Sequence, residues 1–229
     1  MNLNTKNKIL RINKNHFNQN YIFFDLINNK DNYQFLNVIY RSPTIYLDGL
    51  CFETPWMFVK KNKIKNMYDS SKFFIELMFQ KQNEDKEIKN FLQILSNIDK
   101  STINFFQRKN NYFVNNKDIL ETYCKNIKYL KKDNYENNNS DNLTLKIKVN
   151  SNNKVNYNNK ICNLNDIDLN NCLMKCDVIT YGLWKYNNRI GYSWKGFNLK
   201  IIDNNMIEVN TSKKIQTKLK ILNIDNHNE

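Results

Sequence analysis

From Tyr21 onward the apolar residues come in short runs broken by polar clusters, the spacing of strands rather than helices. Tyr21 to Ile27, Phe35 to Tyr40 and Thr44 to Phe52 are rich in aromatic and β-branched residues, which predicts a β-meander. Trp56 to Val59 follows Pro55 as a further short strand. Lys72 to Gln80 predicts another, apolar on both faces, because Phe73, Ile75, Leu77 and Phe79 alternate with Phe74 and Met78. From Glu84 the period changes. Ile88, Phe91, Leu92, Leu95 and Ile98 fall at three- and four-residue spacings, predicting an amphipathic helix that reaches Phe106. Its first turn carries Glu84, Asp85 and Glu87, which suit the positive end of a helix. A second, shorter helix is predicted from Asp118, a good N-cap, through Tyr123 and Ile127 to Leu130.

The second half returns to strands. Leu143, Leu145, Ile147 and Val149 alternate with Thr144, Lys146 and Lys148, the pattern of a half-exposed strand. Ile161 to Cys176 fits neither period. Asp177 to Tyr186 and Arg189 to Ile201 predict two long strands joined at Asn187-Asn188, where Asn tolerates the left-handed backbone of a tight hairpin. Residues 1–20 form a polar, frayed arm, 133–142 an internal loop, and 204–229 a last strand or tail. Residues 21–203 are then one domain, mainly β with α: an OB-like β-barrel with an inserted helix and additional strands.

Composition changes how the charge is weighed. About one residue in five of the 229 is Asn, there is no Ala, and four Arg stand against thirty-one Lys, the profile of an AT-rich gene. Part of the Lys excess is therefore codon drift, yet Asp and Glu could have balanced the net charge of +13 and do not. A polyanionic partner is the first expectation, and a merely solubilising basic surface is the alternative. The same bias makes GC-coded residues informative. Gly182, Trp184, Arg189, Gly191, Trp194 and Gly196 crowd into fifteen residues, and Pro55 adjoins Trp56.

A two-residue turn in the hairpin pairs Tyr186 with Arg189, Trp184 with Gly191, Leu183 with Tyr192 and Tyr181 with Trp194. One face then carries Trp184, Tyr186, Arg189, Ser193 and Lys195, with Lys185 adjoining, while Tyr181, Leu183, Ile190, Tyr192 and Trp194 face a core. Rings that stack on bases beside cations that meet phosphates suit single-stranded nucleic acid. A bulge at Gly191 would exchange the faces beyond it, and core packing of both Trp is the competing reading. The second place, Trp56 and Phe58 running into Lys60 and Lys61, is either another stacking platform or a strand-edge Pro followed by buried rings.

Signatures of catalysis are absent: no Gly-rich phosphate loop, no nucleophile elbow, and His only at positions 16 and 227. Glu87-Ile88-Lys89 has a nuclease-like spacing but lies in the predicted helix. No enzyme, cofactor or metal is expected; Cys51, Cys124, Cys162, Cys172 and Cys176 lack the paired spacing of a zinc site and are expected as reduced thiols. No apolar run suffices for a membrane span or a signal peptide, so an intracellular protein is expected.

The succession of Thr54-Pro55-Trp56-Met57, strand Phe73 to Phe79, helix Phe91 to Phe106, and Leu183-Trp184-Lys185 through Gly191-Tyr192-Ser193-Trp194-Lys195 resembles the single-stranded DNA-binding proteins of nucleocytoplasmic large DNA viruses. The resemblance implies an OB fold, distantly similar to that of phage single-stranded DNA-binding proteins, and coating of replication intermediates in a viral factory in the host cytoplasm. Phage relatives recruit replication proteins through an acidic C-terminal tail, whereas Thr211 to Leu222 is basic here. The partners expected at this point are single-stranded DNA or RNA, with a second copy of the chain and replication proteins also open. A membrane is not among them.

Overall fold

A computed structural model describes residues 10–30, 33–60, 64–66, 69–80, 84–108, 119–129, 143–187 and 189–204. In chain order its strands are β1 (Ile22–Lys30), β2 (Tyr33–Arg41), β3 (Tyr46–Asp48), β4 (Leu50–Glu53), β5 (Met57–Val59), β6 (Ile64–Asn66), β7 (Asp69–Met78), β8 (Tyr123–Cys124), β9 (Ile127–Tyr129), β10 (Leu143–Asn150), β11 (Lys154–Tyr157), β12 (Lys160–Asn163), β13 (Cys172–Thr180), β14 (Gly182–Tyr186), β15 (Arg189–Tyr192) and β16 (Trp194–Asp203). Among the described residues, α1 (Lys86–Arg108) and α2 (Ile119–Thr122) lie between β7 and β8.

β5, β7, β10, β16 and β13 pair in that order, and β13 returns to β5, so the sheet closes on itself. Ranked by chain position, the circuit runs 1-2-3-5-4, an OB-like Greek-key barrel with α1 inserted between its second and third strands. Only β10 and β16 run parallel in this ring. Alternation decides what faces inward. Phe73, Ile75 and Leu77 of β7 and Leu145, Ile147 and Val149 of β10 are buried, each such side chain contributing about 1.5–3 kcal/mol.

A second sheet lies outside the barrel in the order β1-β2-β14-β15-β8, with β3 added to β2. It divides both long strands expected at the hairpin. The first breaks at Tyr181, whose carbonyl accepts from the Val38 amide at 2.9 Å, and β14 then pairs with β2. The second breaks at Ser193, with β15 in the outer sheet and β16 in the barrel. Likewise Thr44 to Phe52 is two strands, β3 and β4, separated at Gly49 (φ 115°). Period alone does not reveal that a strand changes sheets.

Asp85 caps α1 by accepting from the amides of Glu87 (2.8 Å) and Ile88 (3.1 Å). The helix meets the barrel through Phe91 against Phe79 and the outer sheet through Phe105 against Phe24. The second predicted helix is overturned beyond Thr122: Tyr123–Cys124 pairs with β15 and Ile127–Tyr129 with β10. A single helical turn gains little on its own, and two open sheet edges offer more backbone partners. Residues 10–20 are not frayed. Ile12 is buried, its amide donates to the Cys51 carbonyl at 2.8 Å, and Arg11 Nη2 lies 2.7 Å from Asp177 Oδ2. The predicted loop 133–142 and tail 205–229, Asp118 and Leu130 lie outside the described residues. No described helix is long and apolar enough to cross a membrane.

Candidate functional site

The outer face of ring strands β7 and β10 is where an OB barrel takes its ligands. Because inward positions are apolar, the other parity of β10 presents Lys146 and Lys148, and that of β7 presents Lys72 and Phe74. Register places Lys148 directly opposite Phe74. Lys146 Nζ lies 4.2 Å from the centroid of that ring and Lys148 Nζ 5.9 Å, so two ammonium groups attend one ring. Glu76, opposite Lys146, is held by Lys60 Nζ at 3.3 Å.

The β14–β15 hairpin stands beside this face. Between them is a cleft of about 280 Å³ lined by Phe74, Trp184 and Trp194 together with Lys125, Lys128, Lys146 and Lys148. Lys148 also borders a neighbouring cleft of about 710 Å³, whose wall includes Lys72, Tyr181, Lys195 and Phe197. The two clefts adjoin at Lys148 and are both basic and ring-lined, and together they are the candidate groove. Tyr181 is 46% exposed, with Lys195 Nζ 5.3 Å from its ring centroid.

The floor is fixed by a buried polar chain. Trp194 Nε1 donates to Asn126 Oδ1 (2.7 Å), Asn126 Nδ2 donates to Asp99 Oδ1 (2.7 Å), and the Tyr123 hydroxyl donates to the same oxygen (2.6 Å). Burial pushes the Asp99 carboxyl above its ordinary range, while hydrogen bonds from Tyr123 and Asn126 and the charge of Lys125 work the other way. Burial also raises the hydroxyls of Tyr123 and Tyr192. Thr102 Oγ1 donates to the Ile98 carbonyl, so at 2.7 Å it is the Tyr192 hydroxyl that donates to Thr102. Each end of the Asn126 amide thus has a protein partner, which fixes its orientation beneath the cleft.

The hairpin pairs Leu183 with Tyr192, Trp184 with Gly191 and Tyr186 with Arg189, as predicted and without a bulge at Gly191. The next predicted pair does not form. Tyr181 is exposed in the groove rather than in the core, whereas Trp194 is 3% exposed and opens β16. Of the expected site residues, Trp184 and Lys195 line the groove. Tyr186 and Arg189 are exposed at the hairpin tip, outside both clefts, and Lys185 is half-buried on the opposite side of β14, with Leu183 and paired to Ile190. Trp56 and Phe58 are half-buried and line neither cleft, Lys60 is paired with Glu76, and Lys61 lies outside the described residues.

Phe74, Lys146 and Lys148 were missed as site residues, although the alternation of Leu143 to Val149 already assigned both Lys to the polar side. Among the described residues no group of three or more His, Cys, Asp or Glu could hold a metal ion. All five Cys are free thiols. Glu87 sits exposed in the first turn of α1, 3.9 Å from Lys14. No protein-family model matches this chain, and no curated protein matches it.

Proposed function

We propose that this chain binds single-stranded DNA and coats replication or repair intermediates, stacking bases on its rings and meeting phosphates with Lys. The observation that carries this is the composition of one cleft: Phe74 and Trp184 stand among Lys125, Lys128, Lys146 and Lys148 on the ligand face of an OB-like barrel. Every base has a π-face, so binding that rests on stacking tolerates sequence. A groove open on one side admits a strand whose bases are unpaired. It suits a duplex poorly, since paired bases hide their faces. The proposal involves no bond-breaking step, and the resemblance drawn above adds a setting, the viral factory of an infected cytoplasm.

The test is competition among single-stranded DNA, double-stranded DNA and RNA across a salt series. Single-stranded DNA should win, with affinity falling steeply as salt rises, because Lys contacts act by releasing counterions. Preference for RNA would reassign the groove to an RNA-binding module. Absent binding at low salt, or binding flat in salt, would remove the nucleic-acid reading and leave a role in virion assembly.

A further inference from the structure

We infer that the bound strand does not end on the barrel but crosses at Trp184 onto the outer sheet, where Phe35, Tyr186 and Arg189 form a second stacking platform. This rests on the single-stranded DNA reading above and extends it to a part of the fold that the OB barrel does not supply. Cross-strand register carries it. Trp184, which lines the cleft with Phe74, is paired directly with Phe35 of β2 on one side and with Gly191 of β15 on the other. All three face away from the core, since Leu36 and Leu183 at the alternate parity are buried.

Two glycines make room for the rings. A Cβ at Gly191 would lie 3.1 Å from Trp184 Cζ2, and one at Gly182 would lie 2.9 Å from Phe35 Cζ. Part of the space a side chain would take is thus occupied by the neighbouring ring, together with the Leu36 carbonyl at Gly182 and Cys124 at Gly191. Both rings stand on the side of the sheet turned away from the core, where a base can reach them to stack. Tyr186, two residues beyond Trp184 on the same side of β14, is 56% exposed, and its cross-strand partner Arg189 brings a cation to the tip. The far end of the sheet sets the limit. There Asp25 pairs with Asn37 and Asp48 with Ile39, placing carboxylates where phosphates would have to run. The path therefore turns toward the hairpin tip and away from β3.

The experiment compares oligothymidylates of about 6 and about 15 nucleotides, lengths at the two ends of what one OB domain occupies. Parent protein, Phe35→Leu, Tyr186→Ser and the double variant are titrated with both, and melting temperature is recorded on the same samples. The parent should bind the long oligomer much more tightly than the short one. The double variant should lose roughly tenfold or more on the long oligomer and match the parent on the short one. Equal long-oligomer affinity for parent and double variant overturns the second platform while leaving the barrel groove standing. If the parent binds neither length, it is the DNA reading itself that fails. Should Phe35→Leu melt well below the parent, Tyr186→Ser decides alone, since an exposed tip residue cannot act through unfolding.

Discussion

Two clefts of nearly equal volume lie at opposite ends of β16, about 710 Å³ beside Lys195 and Phe197 and about 720 Å³ beside Asp203. The first has Lys72, Lys148 and Lys195 around Tyr181; the second has Asp166, Asp168 and Asp203 around Tyr157, with Lys154 the cation in its lining. A chain of net charge +13 thus keeps one concavity acidic. Size does not separate these clefts, and neither does the presence of a ring. What separates them is the sign of the charge beside the ring, and only the first can attract a polyanion.

Matched pairs of variants, one on each side, test this difference. The largest effect should come from the floor of the basic groove. Trp194→Ala removes a buried indole and leaves the Asn126 carbonyl oxygen without its donor, so it should cost about 3–5 kcal/mol of stability in chemical denaturation. Ile161→Ala, at a position 70% exposed beside the acidic cleft, should stay within about 0.5 kcal/mol of the parent.

Next comes stacking. Trp184→Ala should weaken single-stranded DNA binding by about 1–3 kcal/mol while the protein stays folded at the assay temperature. Tyr157→Ala, on the acidic side, should leave affinity unchanged. Equal losses from both would mean that rings matter wherever they lie, and that the sign of the neighbouring charge is irrelevant.

A smaller effect is expected from single charges. Lys148→Gln, the residue common to both parts of the groove, should lower affinity about evenly across sequences and make the salt dependence shallower by about one released ion. Asp168→Asn should not alter that slope. The finest test uses the thiols, since Cys124 lines the basic cleft and Cys162 the acidic one. Bound DNA should protect Cys124 from maleimide while Cys162 goes on reacting. Cys51, Cys172 and Cys176 should stay silent near pH 7.5. Burial pushes their thiols up to about 11, 11 and 12, so the reactive thiolate is scarce until the solution becomes strongly alkaline.

Local pattern was enough for the pieces that local forces decide. The alternation in Leu143 to Val149 gives β10 and its two faces, the three-and-four spacing from Ile88 gives α1, and Asn187-Asn188 gives the hairpin register from Leu183 to Tyr192. What stayed hidden depends on distant partners. Nothing near Phe74 says that Lys148, seventy-four positions later, lies opposite it. Lys60 looked like one of a run of cations beside Trp56, and only the pairing of β5 with β7 brings Glu76 against it. Parity carried through an unbroken strand puts Tyr181 in the core, but the strand changes sheets at that residue and leaves it exposed. Glycine was the most readable signal, since a residue disfavoured by the codon bias marks Gly182 and Gly191, where Phe35 and Trp184 come up against the backbone.

The barrel's seam has a consequence for how the molecule is made. β16 is the last of the five ring strands in the chain, and it alone joins β10 to β13. During synthesis the first four strands emerge as an open sheet, with β13 and the part of β10 beyond its pairing with β9 waiting for it. Closing a ring through a parallel contact between residues 147 and 194 is a long-range event, of the kind that slows folding. Because Trp194 opens that strand and also completes the groove floor, the site is assembled in the same step that closes the barrel. A nascent or truncated chain lacking β16 would expose sheet edges prone to pairing with other chains and would have no floor on which a base could rest.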